Sequence, residues 1–329
     1  MAARTSAQAG NWSASTTWTA GAIPGNGDTA TITHNVVADV SQIVGTSPSS
    51  PSTAAVTVNT GGKLTLASGV IFTCRGDIRL NATTLQLNAG STFKFDASQA
   101  TPTPLSVHYW MYFSDSPSSI LTVTGLAGSR CTITSDAAGG SAAITKSAGD
   151  RWNPTIKYCD ITRLGQAGVP AIEMGGGYSN FDFEQVVFDT CGQLTFSHLG
   201  AAATVSLVNV TMKNTLSTLC MDGGGTPIAL TTGTRRIQGC VFDKIVQQFW
   251  MDWTVTDTIF TGQIAPLGTN PWAVFSGNFL EWPSNYDQPV RGDVVNCYCL
   301  ANYTATNPHF LQVETTGAVR GCIFEYIGT

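Results

Sequence analysis

The chain has 329 residues, a formal net charge of −5 and 11% charged side chains, against roughly 25% in an ordinary globular protein. A nucleic-acid footprint needs clustered Lys and Arg, and the only adjacent basic pair, Arg235-Arg236, reads as a solvated turn. No apolar run reaches the ~18 residues of a membrane-spanning helix, and 34 glycines with abundant Thr and Ser give an all-β composition.

In chain order, the N-terminus MAARTSAQAGNW has no apolar stretch of signal-peptide type, so the chain as it stands does not read as a secretory precursor. Trp12 and Trp18 follow, then Gly21, Pro24, Gly25, Gly27 and Asp28, then the alternating strand Thr29–Thr33. A tryptophan pair, a Pro-x-x-Gly-Asp turn and a strand resemble the opening of glycine-rich β-helix domains in secreted bacterial proteins and phage tail proteins. There the segment covers the first coil, because an open end exposes core and unpaired strand edges. The expectation is an N-terminal cap and first coil over 1–53, then a continuous solenoid over 54–329. Residues 46–53 are a Ser/Pro loop. From 54 to 96 apolar and polar residues alternate between Gly61-Gly62, Gly69, Gly76 and Gly90, as in regular strands separated by turns. Residues 99–119 read as a Pro/Ser-rich excursion holding the aromatic cluster VHYWMYF at 107–113, with strands resuming at 119 and 130.

From 156 onward one short phrase recurs seven times: IKYCDIT, FEQVVFD, LVNVTMK, IQGCVFD, VTDTIFT, VVNCYCL and VRGCIFE. With the fourth residue as anchor, the anchors are Cys159, Val186, Val210, Cys240, Thr258, Cys297 and Cys322, spaced by 27, 24, 30, 18, 39 and 25 residues. A period of about 20–50 residues marks a repeat architecture. Anchor and anchor+2 are apolar in nearly every phrase and share one face of a strand. A third apolar residue stands at anchor−3, an odd step, so the chain must bend between them. The residue before the anchor is Asn209, Gly239, Asp257, Asn296 or Gly321 in five phrases, types that tolerate positive φ. Tyr158 and Gln185 break that rule in the first two.

A strand–bend–strand repeated about every 25 residues resembles the right-handed parallel β-helix of pectate lyases and phage tailspikes. The resemblance covers 156–329 well and 60–155 loosely. It implies fold rather than activity, since the same coil serves lyases, hydrolases, adhesins and virion parts. The expected fold is therefore an all-β, right-handed parallel β-helix, with loop excursions near 99–119 and 262–290. The second excursion follows from the 39-residue gap between Thr258 and Cys297; either a loop leaves the solenoid there or one coil has lost its signature. The last phrase ends at EYIGT without a cap, so the expectation is that more protein follows or that another chain covers this end.

Nine cysteines, several at anchors, read as small buried residues. Some disulfides remain an alternative, and zinc-type paired spacings are absent, so no metal and no cofactor is expected. Free thiols fit synthesis in a reducing cytosol. The outward position anchor+3 carries Asp189, Lys213 and Asp243 on successive coils. Coils about 4.8 Å apart place the two carboxylates on the order of 10 Å from each other, near the ~6.5–9.5 Å of an inverting glycosidase. The alternative is a charge ladder on a solvated face. Trp250, Trp253, Trp272 and Trp282, with Asp252, Asn270, Asn278 and Asn285, come from one coil and the following loop and are the candidate glycan-binding set. Packing of these rings in the solenoid or in a subunit interface is the alternative. The triplets Arg75-Gly76-Asp77 and Arg291-Gly292-Asp293 read as turns entering strands.

These readings converge on a phage virion protein: a tail spike, tail fibre or similar appendage, made in the host cytoplasm and released by lysis. It is expected to be homotrimeric, to contact other virion proteins and a host surface polysaccharide, to bind no nucleic acid and to have no membrane span. A polysaccharide depolymerase on the same fold (lyase or glycoside hydrolase) and a secreted bacterial adhesin are the alternatives.

Overall fold

The computed structural model describes residues 2–46, 54–96, 109–114, 119–136, 142–146, 152–167, 169–175, 180–197, 203–222, 234–247, 253–262, 264–265, 274–282, 289–291, 293–301, 312–314 and 318–326. Among them, every pairing between named strands is parallel, in three long stacks and one separate pair, Pro289–Arg291 with Gln312–Glu314. The chain visits the stacks in turn, as in Ala54–Val58 (first), Lys63–Leu66 (second), Ile71–Arg75 (third) and Asp77–Asn81 (first again). The first stack is an eleven-stranded sheet running from Ala3–Thr5 to Ile264–Ala265. The second and third form one 23-stranded sheet. They are joined because Trp152–Thr162 and Phe181–Asp189 run unbroken through the corner between them. Parallel stacks buried on one face, with strictly alternating burial such as iBiBi in Thr84–Asn88, make an all-β protein consistent with a parallel β-helix.

The repeated phrase behaves as its grammar requires. Anchor, anchor+2 and anchor−3 side chains are buried in the first six phrases, from Ile156, Cys159 and Ile161 to Val294, Cys297 and Cys299. The residue before the anchor is left-handed in all seven: Tyr158, Gln185, Asn209, Gly239, Asp257, Asn296 and Gly321 have φ between 49° and 62°. Tyr158 and Gln185 thus join the column that their residue types argued against. Each costs on the order of 1–2 kcal/mol of backbone strain, sustained because the ladders on both sides hold the corner. The same corner extends upstream: Gly69 and Gly90, both at φ 74°, precede Val70 and Ser91, and register carries the column from Ser91 through Cys131 to Cys159.

The two expected excursions need correction. Tyr109–Ser114 is a strand of the first stack, in register with Asp77–Asn81 and with Ala142–Lys146. Its Tyr109, Met111 and Phe113 are buried, so these three of the aromatic cluster are core, while Trp110 and Tyr112 are partly exposed; the rest of 99–118 lies outside the described residues. The long gap holds an eighth rung. Val274–Ser276 pairs with Trp253–Thr256, and Phe279–Trp282 with Ile259–Phe260. Gly277 between them has φ 69°, which makes Asn278 the anchor and gives spacings of 20 and 19 residues in place of 39. The side chain of this buried Asn is fully engaged: its Nδ2 donates to the Val255 carbonyl at 3.1 Å, and its Oδ1 accepts from the Thr258 N–H at 3.0 Å. A buried amide tolerated in an apolar column must be paired in this way.

Aromatic rings thread the interior from rung to rung. Phe113 stacks on Trp152 at 4.3 Å, Trp152 meets Phe181 edge-on at 6.2 Å, and Phe181, Phe196 and Trp253 continue at 6.4 and 6.0 Å. At the N-terminal end, Trp12 and Trp18 are buried, T-shaped at 4.7 Å, and Trp12 meets Phe72 at 5.3 Å. Their indole N–H groups donate to the Pro24 and Trp12 carbonyls, so both rings are held on the core. At the other end the last phrase departs from the pattern. Val319 and Phe324, whose equivalents are buried in every earlier rung, are each 43% exposed.

Candidate functional site

Of the four candidate tryptophans, the structure describes the side chain of Trp253. Trp253 is 3% exposed and packs edge-on against Phe196, so it belongs to the core and leaves the glycan-binding set. Its position explains this: Trp253 is the register partner of Arg235 at an inward site of the second stack, and strand alternation decides the face. Trp282 ends the strand Phe279–Trp282, opposite Ala301. Trp250 and Trp272, with Asp252, Asn270 and Asn285, lie outside the described residues. Asn278 is the buried anchor described above and is unavailable to a sugar.

Asp189, Lys213 and Asp243 do lie on one outward column. Asp189 is the register partner of Lys213, and the strand Val241–Phe242 that leads into Asp243 pairs with Thr211 and Met212. Each carboxylate, however, has structural work. Asp189 accepts from Asn214 Nδ2 at 2.8 Å and from Thr190 Oγ1 at 3.0 Å, and pairs with Lys213 Nζ at 3.2 Å. The Asn214 hydrogen bond, ahead of Lys213, holds its carboxyl below the usual range. Asp243 accepts from the Thr215 N–H at 2.9 Å and Oγ1 at 2.6 Å, closing the turn of the preceding rung. A glycosidase general acid must instead hold its proton near neutral pH. The arrangement is one ion pair, Asp189–Lys213, beside hydrogen bonds that pin neighbouring turns, of the kind worth a few tenths of a kcal/mol per pair at the surface.

The RGD triplets are likewise structural. Arg75 donates to Asp96 at 2.7 Å and to Asn26 at 2.8 Å, while Asp77 is buried and accepts from the Trp110 N–H at 2.9 Å. In the second triplet Asp293 accepts from the Ala318 N–H at 2.9 Å and faces Arg320 at 3.8 Å. All nine cysteines are free, eight of them buried. Burial pushes the Cys240 and Cys297 thiols up to about 11, and those of Cys191 and Cys299 to about 12, which makes them poor nucleophiles and metal ligands. Among the described residues no group of three or more His, Cys, Asp or Glu is placed to hold a metal ion, and no helix is long and apolar enough to cross a membrane.

The outward position anchor+1 carries Val241, Ile259, Phe279, Tyr298 and Ile323 on five consecutive rungs, in direct register. Ile259 and Ile323 are exposed, and the other three are partly buried. Phe279 and Tyr298 lie face to face at 5.3 Å and 7°. Tyr298 donates its hydroxyl to Glu325, on the next outward column. The signal was available: every other residue of the repeated phrase points outward, and at anchor+1 the five C-terminal rungs are apolar where Asp160 and Thr211 stand earlier.

The fold and this flank define the class as an all-β protein of stacked parallel strands. Comparison with protein-family models, with characterised proteins and with solved structures finds no match that would narrow the class further.

Proposed function

We propose that the chain is a right-handed parallel β-helix, of about 25 residues per coil and of the type in phage tailspikes, that serves as a structural or appendage protein of a phage virion and assembles side by side as a homotrimer. The supporting observation is the straight apolar column Val241–Ile259–Phe279–Tyr298–Ile323 on the flank of the stack. Apolar side chains lined up on a soluble surface mark a contact face, and a column parallel to the stack matches the same column or face of a copy lying alongside. Nine unbridged thiols agree with synthesis in a reducing cytosol before release.

The stacked pair Phe279 and Tyr298, with Glu325 beside it, supports a second reading of the same column, in which it receives a host glycan: the apolar C–H face of a sugar stacks on rings, and its hydroxyls bond to flanking carboxylates. Light scattering coupled to size exclusion tests the first reading. A trimer that dissociates on Ile259→Asp with Ile323→Asp, both exposed positions, supports it; a wild-type monomer at micromolar concentration refutes the trimer. Retention on immobilised bacterial capsular and O-antigen polysaccharides, lost in Phe279→Ala, would favour the glycan contact, and release of new reducing or unsaturated ends would favour a depolymerase. Immunogold labelling of phage particles decides the virion assignment; unlabelled particles would overturn it.

A further inference from the structure

Thiols of neighbouring rungs meet twice in the anchor column. Cys131 and Cys159 are direct register partners, and both are sealed in the core. Cys297 and Cys322 meet under different conditions. Register pairs Val295 with Arg320 and Tyr298 with Ile323, which sets Cys297 opposite Cys322. The Cys297 N–H donates to the Cys322 sulfur at 3.4 Å, so that sulfur lies against the Cys297 backbone. Adjacent parallel strands lie about 4.8 Å apart, inside the ~4.4–6.8 Å span between the α-carbons of a disulfide. Cys299 faces the same interior, yet its register partner is Phe324, so it has no thiol opposite.

Access separates the two pairs. Cys322 is only half-buried, in a rung where Val319 and Phe324 are 43% exposed and Ile323 is 60% exposed. The other anchor thiols are buried, and Cys322 alone among them is partly exposed. The nearby thiol trio is not a metal cage, since no metal-holding group is found among the described residues.

We propose that Cys297 and Cys322 form an oxidation site, a dithiol that closes to a disulfide when the protein passes from a reducing to an oxidising medium and so staples the last described rung to the one before it. The co-reactant is a small-molecule disulfide of the glutathione class. The Cys322 thiolate, its proton given to water, attacks one sulfur of the oxidant; the oxidant's S–S bond breaks, a mixed disulfide forms and one glutathione thiolate leaves. Cys297 then loses its proton and attacks the Cys322 sulfur; the protein disulfide forms and the second thiolate departs. Two protein thiols are oxidised, and one glutathione disulfide is reduced to two thiols. Burial holds the Cys297 thiol up to about 11, so the closing step should quicken as pH rises. The pair stands whether or not the chain belongs to a virion.

The test is to incubate the full chain at pH 8 with oxidised glutathione, block free thiols with N-ethylmaleimide, and map peptides without reduction. The expected product is a crosslinked peptide joining Cys297 to Cys322, seven of the nine thiols remaining blockable after denaturation, and an unfolding midpoint raised by several degrees relative to the reduced chain. Cys297→Ser should stop at a mixed disulfide on Cys322, and Cys322→Ser should leave the rung unmodified. A wild-type protein that accumulates the mixed disulfide without closing, crosslinks a different pair, or does not react would overturn the proposal, and because the wild type carries the decisive readout, a poorly folding variant does not rescue it.

Discussion

The left-handed corner offers the sharpest test, because it alternates residue types along the stack. From Asn209 the column reads Asn209, Gly239, Asp257, Gly277, Asn296, Gly321. A methyl group placed on Gly239 would overlap the Oδ1 of Asn209, with Asn209 Cγ 3.5 Å away; on Gly277 it would lie 2.6 Å from Asp257 Oδ1, and on Gly321 it would overlap Asn296 Oδ1. Each Asn or Asp therefore leans over the glycine of the next rung, and Gly239→Ala has two costs. The first is φ of +62°, on the order of 1–2 kcal/mol for a residue with a β-carbon, offset by about 0.4–1 kcal/mol from the stiffer unfolded chain. The second is displacement of the exposed Asn209 side chain, about 0.5–1.5 kcal/mol if it is driven off its rotamer. Together Gly239→Ala should destabilise by about 1–2 kcal/mol. In an Asn209→Gly background the steric part vanishes, and the same change should cost about 1 kcal/mol or less. Calorimetry reads this as a fall in unfolding midpoint of about 1.5 °C per kcal/mol for a chain of this length, with the double-mutant cycle isolating the coupling. A neutral Gly239→Ala, or a cycle with zero coupling, would refute the account of the corner.

Asp77 should make the protein less stable as pH rises. Burial pushes its carboxyl up to about 6, above the unfolded value of 3.8, so the folded state holds the proton more tightly. Its contribution is fully present below about pH 4 and is lost as pH rises through 6, on the order of 2–3 kcal/mol in all. Asp77→Asn keeps the acceptor for the Trp110 N–H and should flatten that profile and raise the midpoint at pH 7.5; a variant less stable than wild type at pH 7.5 would show that the carboxylate is well solvated or well paired. Trp12→Ala empties the site between Trp18 and Phe72 and should cost about 3–5 kcal/mol. It should also open the first rungs to limited proteolysis, whereas an unchanged digestion pattern would mean that the pair does not cover the core.

The repeated phrase was legible in the sequence because two local rules act together. Strand side chains alternate faces, so Cys159, Ile161 and their equivalents declare an inward column, and Asn, Asp and Gly before the anchor declare a bend. Neither rule needs a tertiary partner, and the burial and φ values of Asn209, Gly239, Asp257, Asn296 and Gly321 follow from them. Contacts between rungs set the remainder. Tyr158 and Gln185 are left-handed because the ladders of the rungs above and below fix the corner more strongly than residue preference opposes it. The rung at Phe275–Leu280 was hidden by its polar anchor; only the folded stack supplies the Val255 carbonyl and Thr258 N–H that make Asn278 a core residue. Trp253 reads as a sugar platform in sequence and is core in space, because register with Arg235, set by the preceding rung, chooses its face. Strand alternation and the bend residues alone fix which residues of each phrase point inward; which phrases stack on which, and so which side chains meet, depends on register between rungs about 20–30 residues apart, a long-range quantity that no local pattern encodes.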